Sequence, residues 1–283
     1  PPSFHLDPFC MRLGLPLTHA ARLSAHVCTR HRALVTTAFL LNTMSMAEGS
    51  TMRAAEVKAF GDIDQVISIN AARPVPTLAP ALAAVPNADA GDKPKKKDKK
   101  KPQTHLLVKV LACSLSPGDC RMIGGHKDLF CTPDKLGASW PYVPGLDVCG
   151  EVVQLDPNDT SGRFKVGEKV VATWDIVGMG GMAEYALVRT DYAAPLPADL
   201  GLSDTEGAAL ANSASHAMNI MEKAGIVAGE RVMVIGGSGG LGTLLIQMCK
   251  SAGASYVAAV SSDAPLCESL GADRVVDYNQ ETW

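Results

Sequence analysis

Residues 231–262, RVMVIGGSGGLGTLLIQMCKSAGASYVAAVSS, decide the fold. The apolar run Val232-Met233-Val234-Ile235 predicts a strand, and Gly236-Gly237-Ser238-Gly239-Gly240-Leu241-Gly242 predicts a tight turn. Leu244, Leu245, Ile246, Met248 and Cys249 follow at helical spacing and stop at Gly253. A second apolar run, residues 256–260, ends at paired serines. Strand, glycine turn, helix and strand in that order make the unit that binds a dinucleotide. The glycines let the backbone bend and approach a pyrophosphate, and the helix N-terminus offers that anion unpaired N–H groups and a positive dipole end. The expected cofactor contacts are therefore Gly237, Ser238, Gly239, Gly240, Leu241 and Gly242. A bare GxGxxG is weak and can be a structural loop; here strands and helix supply the context it needs.

The tip of the second strand bears on which cofactor. An acid there holds the ribose hydroxyls of NAD and repels a 2′-phosphate. This chain has Ser261-Ser262, small hydroxyls that suit a phosphate, so NADPH is expected, with NADH as the alternative. Asp263 is next in line and the following cation is Arg274, so a basic clamp is missing. Downstream, residues 264–270 predict a helix and 274–278 a third strand before the chain stops at Trp283. The second mononucleotide half of a doubly wound domain is not in the sequence, and a poorly stable, inactive fragment is expected. Upstream, Ser203-Asp204-Thr205-Glu206 has capping-box spacing and opens a helix that runs to Gly225.

Before that helix the pattern changes. Strand-like runs at 52–61, 66–69, 106–112, 148–155 and 169–173 are separated by turns such as Asp156-Pro157-Asn158 and Val166-Gly167-Glu168. They predict an all-β or barrel-like domain over 52–200, followed by a partial dinucleotide domain over 201–283. Residues 77–103 interrupt the first domain. They are rich in Ala and Pro and end in DKPKKKDKKK, seven lysines against Asp92 and Asp98. Such a block cannot bury enough surface to order itself, so a solvated, disordered insertion is expected, with a nuclear-import or polyanion patch as the alternative.

The chain lacks Met at position 1 and is expected to begin inside something longer. Residues 1–51 read as a disordered leader. Up to residue 47 they carry Arg12, Arg22, Arg30 and Arg32, no lysine and one acid, Asp7. That composition suits a transit peptide, implying a mitochondrion or plastid; equally, it suits upstream sequence before a start at Met44, Met46 or Met52, implying the cytoplasm. The length of 283 residues allows about two domains. A net charge of -3 argues against a specific nucleic-acid partner, and no apolar run approaches the roughly 20 residues of a spanning helix. The eight cysteines show no CxxC and match neither a zinc ribbon nor a disulfide scaffold.

From Met52 to Trp283, apart from the insertion, the chain resembles a medium-chain dehydrogenase/reductase of the zinc-independent quinone oxidoreductase type, similar to zeta-crystallin. The resemblance rests on ordered motifs: ACSLSPGDCRMIGG (112–125), PGLDVCGEVV (144–153), FKVGEKV (164–170), MAEY (182–185), the glycine turn with its helix, and SLGADRVVDY (269–278). It implies a GroES-like β-barrel-type domain followed by an incomplete Rossmann doubly wound sheet, an α/β protein. It also implies hydride transfer from NADPH to a quinone or α,β-unsaturated carbonyl, and a homodimer by analogy. Aligned on Asp119, the family's zinc-ligand Cys and His fall at Ser116 and Leu146, which cannot ligate zinc, so no metal is expected. A catalytically silent NADPH-binding protein is the other reading.

Conjugation in such an acceptor spreads the incoming charge onto oxygen, so hydride transfer needs no metal, while the protein orients the partners and excludes water. The resemblance places Ser116, Asp119 and Arg121 near the acceptor. Ser116 is the expected hydrogen-bond donor, and Arg121 the expected stabiliser of the developing oxyanion; the bland alternatives are that Asp119 fixes a turn and Arg121 is a surface charge. His216 stands where the family usually has a cofactor-seating threonine, so its imidazole is expected to contact the cofactor, or else to be a satisfied structural histidine.

Overall fold

The computed structural model describes residues 49–78, 104–125, 140–173 and 180–281. The expected leader, except residues 49–51, and the Lys-rich insertion, except residues 77 and 78, lie outside them. The chain divides into two compact units between Pro197 and Ala198.

The first unit is antiparallel β. Strand β1 (Thr51–Val57) pairs with β2 (Ile67–Pro74) after one helical turn, α1 (Ile63–Val66), whose N-cap Asp62 accepts from the Asp64 amide. The main sheet has five strands in the order β6-β3-β4-β5-β7: β3 (His105–Ser114), β4 (Asp147–Leu155), β5 (Lys169–Ala172), β6 (Tyr185–Arg189) and β7 (Ala193–Pro195). Alternating apolar residues on these strands, among them Leu106, Val108, Val152, Val170 and Ala186, bury one face together with Phe164. That is the period-2 pattern of a half-buried strand. Bridges from Ala54 to Ala183 and from Val57 to Tyr142 tie β1 to the rest. Arg53 reinforces the tie: its amide donates to Glu184 and its guanidinium lies 2.7 Å from the same carboxylate. Between β3 and β4 stands α2 (Pro117–Ile123), started by Pro117 at a position where a missing N–H costs nothing.

The second unit begins with α3 (Asp204–Ala224). Ser203 accepts from the Glu206 amide and Glu206 reaches back to the Ser203 amide, the capping box read in the sequence. The helix ends at Gly225, whose φ of 61° is the left-handed value that glycine tolerates. Three parallel strands follow in the order β10-β9-β8: β8 (Arg231–Ile235), β9 (Tyr256–Val260) and β10 (Arg274–Val276). They are joined by α4 (Gly240–Ser251) and α5 (Ala264–Ser269). Val234, Ile246, Cys249, Val257, Ala259 and Cys267 form the core between sheet and helices. Leu210 and Ala217 of α3 pack on Leu244 of α4. Among the described residues β8 is an edge strand, and its Met233 and Ile235 are 54% and 66% exposed.

The sequence-based reading differs from this architecture in detail. Residues 66–69 were expected to be a strand, but Val66 closes α1 and the strand starts at Ile67 and runs to Pro74, because its partner β1 is long enough to carry it. The third parallel strand stops at Val276, two residues early, where Asp277 caps a turn by accepting from the Asn279 amide.

Candidate functional site

In the second unit the glycine turn is built as a cradle. β8 and β9 are in register from Arg231↔Tyr256 to Ile235↔Val260, so the turn leaves β8 beside the end of β9. Gly236 takes φ 81°, and the amides of Gly236 and Gly237 both donate to the Val260 carbonyl, at 2.9 and 3.0 Å. Gly242 is held tightly: a Cβ there would overlap the Gly236 carbonyl. Gly239 caps α4 without a side chain, so the first amides of that helix, Gly240, Leu241 and Gly242, keep the unmet donors of any helix start. Small residues above a helix N-terminus leave room for an anion at those donors.

The paired serines play separate parts. Ser262 is exposed, whereas Ser261 is 2% exposed. The Ser261 hydroxyl donates to Ser238 Oγ at 2.8 Å and accepts from the Asp263 amide at 3.0 Å. Asp263 in turn accepts from the Leu266 amide and caps α5. Its carboxylate is thus engaged locally. Arg274 is paired with Glu281 at 3.0 Å.

His216 is exposed on α3, with Nδ1 3.1 Å from the Asn212 carbonyl one turn back. Ser213, on the same helix, puts its hydroxyl 3.5 Å from the Cβ position of Gly240, at the start of α4. The sequence reading overlooked Ser213; the signal was its spacing of three from His216, which puts both on neighbouring faces of one helix.

In the first unit Ser116 and Asp119 form a second capping box. Asp119 is fully buried, and it accepts from the Ser116 amide at 2.8 Å, the Ser116 hydroxyl at 3.1 Å and the Gly145 amide at 2.9 Å. Burial pushes its carboxyl up, against the pull of those donors. The geometry makes Asp119 a clamp between the start of α2 and the Gly145 turn. The Ser116 hydroxyl also accepts from the Gly118 amide, and its own hydrogen is engaged by Asp119. Arg121 is exposed in the last turn of α2.

Asp147, three residues after Pro144, went unremarked as an acid in the sequence reading; the signal was an acid amid apolar β4. It is 3% exposed and accepts from the Thr173 hydroxyl. Burial, aided by the nearby Asp119 charge, raises its pKa to about 7. Gly145, Leu146, Thr173 and Gly181 line a small cavity of about 10 Å³. Among the described residues no three His, Cys, Asp or Glu side chains group as a metal would require, and no helix is long and apolar enough to cross a membrane.

Residues 102–198 match the alcohol dehydrogenase GroES-like domain. The chain is 36% identical over 191 residues to 2-methylene-furan-3-one reductase of Solanum lycopersicum, covering 64% of this chain and 46% of that protein. It is 32% identical over 188 residues to the chloroplastic NADPH-dependent alkenal/one oxidoreductase of Arabidopsis thaliana, covering 63% and 46%. The solved quinone oxidoreductase of Coxiella burnetii superposes with a TM-score of 0.61 at 25% identity, over 82% of this chain and 64% of that one. The chain thus spans about half the length of the curated relatives it matches.

Proposed function

We propose that the protein containing this chain is an oxidoreductase of the medium-chain dehydrogenase/reductase type that passes a hydride from NADPH to a quinone or an α,β-unsaturated carbonyl without zinc, a reading supported by the GroES-like match and the quinone oxidoreductase fold. The observation that carries the proposal is the cradle of residues 236–242: crowded glycines, an uncapped helix start and the Ser261–Ser262 tip beside it. The names of the relatives, enone and quinone reductases, support the acceptor class.

The residues present fit a dinucleotide. The amides of Gly240, Leu241 and Gly242 would hold the pyrophosphate, and the exposed Ser262 would meet the adenosine ribose. Asp263, the acid next to this tip, is engaged by the α5 cap, and the hydroxyls of Ser261 and Ser262 stand where an NAD-selecting acid would, which favours NADPH over NADH. His216, with Nδ1 turned to its own helix, offers its other ring nitrogen to the cofactor. The bound cofactor supplies the hydride; the protein's part is to orient and to stabilise charge. Ser116 and Arg121 are the proposed groups for the acceptor oxygen, with Asp119 as the residue that positions Ser116. For Ser116 to donate, its hydroxyl hydrogen swings away from Asp119, which retains the Ser116 and Gly145 amides. The arginine-bearing, acid-poor leader and the chloroplast named for the Arabidopsis relative support an organelle as the compartment.

The test follows NADPH absorbance in the full-length protein against a panel of quinones and enones. Oxidation by one of these classes supports the reading. Saturable NADPH binding with no oxidation by any acceptor overturns the enzymatic reading in favour of a silent cofactor-binding protein.

A further inference from the structure

The buried hydroxyl of Ser261 touches both parts of the proposed cofactor cradle. It donates to Ser238 inside the glycine turn at 2.8 Å and accepts from the amide of Asp263, beyond the exposed Ser262, at 3.0 Å. The buried Cys267 of α5 packs under the same turn, its sulfur 2.9 Å from the Cβ position of Gly237. At 2% exposure the hydroxyl is spent on these partners and does not meet a ligand.

We propose that Ser261 is a positioning residue for cofactor selection: its bond to Ser238 holds the pyrophosphate turn and the Ser262–Asp263 loop in one fixed spacing, so that a dinucleotide carrying a 2′-phosphate on its adenosine ribose engages both at once. The inference rests on the dinucleotide reading of the cradle. The physical reason is that two anion contacts reward a ligand fully only when their separation is set in advance, and a link free to drift costs ordering on binding. A 5′-phosphate alone occupies one of the two places and is indifferent to the spacing. The Asp263 amide bond serves the same end. It ties the loop to the strand end, where the Asp263 carboxylate accepts from the Leu266 amide.

The experiment measures dissociation constants of 2′,5′-ADP and 5′-AMP by calorimetry on the full-length protein and its Ser261→Ala, Ser261→Thr and Ser238→Ala variants. Loss of one neutral hydrogen bond predicts a drop of about fivefold in the preference for 2′,5′-ADP over 5′-AMP in Ser261→Ala. Ser238→Ala shows the same drop, the double variant shows no further one, and Ser261→Thr keeps most of the preference. A role confined to stability lowers the melting temperature but leaves the preference ratio alone, and an unchanged ratio in Ser261→Ala overturns the inference while the cofactor reading stands. A wild-type protein that binds neither nucleotide overturns both.

Discussion

Replacing Asp147 with asparagine isolates a buried carboxyl of the first unit whose proton affinity is strongly raised. Asp147 is buried, held by the Thr173 hydroxyl and close to the Asp119 charge, and its pKa stands at about 7 against 3.8 for an unperturbed group. Because the folded value is raised, the stability it confers is complete below about pH 4 and is lost as pH climbs through about 7. Linkage between those two values gives a cost to folding of roughly 2 kcal/mol at pH 5 and roughly 4 kcal/mol at pH 8, a difference of about 2–3 kcal/mol. Asparagine keeps an acceptor for Thr173 and never ionises, so Asp147→Asn escapes that loss. Urea unfolding at pH 5 and pH 8 reads it directly. With a slope near 2 kcal/mol per molar urea, the midpoint of the variant relative to wild type should move up by about 1 M between the two pH values. A residual decline in the variant belongs to Asp119, which burial also raises. If the midpoint difference between variant and wild type is the same at both pH values, Asp147 does not titrate in this window and the account of its burial is wrong.

Other outcomes follow from the same contacts. Gly242→Ala forces a methyl against the Gly236 carbonyl, and should cost about 1–3 kcal/mol of stability and abolish NADPH binding in a fluorescence titration. Asp119→Ala strips acceptors from the Ser116 and Gly145 amides and should lower stability by about 3 kcal/mol, measured by chemical denaturation. His216→Ala should weaken NADPH about fivefold if its ring bonds the cofactor; unaltered affinity would remove it from the site.

The second unit was legible because its signals are local. The glycine turn, the capping box at Ser203 and the αL glycine at 225 each act within a few residues, and each appears where the sequence puts it. The first unit was legible only as β pattern, since its pairings, such as β3 with β6, join residues about eighty apart in sequence. The same capping signal occurs twice, Ser203-x-x-Glu206 and Ser116-x-x-Asp119, and was read as a cap only in the first case. Family resemblance drew Ser116 and Asp119 toward catalysis, while the structure shows what Asp119 clamps. The division of labour between Ser261 and Ser262 was hidden because burial of one of two identical neighbours is set by the strand on which they end and by the turn that packs beside it. Asp147 escaped notice for a related reason: its displaced proton affinity comes from tertiary burial, which spacing does not encode.

The central claim is that residues 236–242 and 261–262 form a site for a 2′-phosphorylated nicotinamide dinucleotide. Equilibrium titration of the full-length protein with NADPH and NADH, without any acceptor, tests it most directly. The account predicts saturable binding of NADPH, at least tenfold tighter than NADH. Equal affinity for the two, or tighter NADH, would contradict the reading of the Ser261–Ser262 tip, and no binding of either would contradict the site itself.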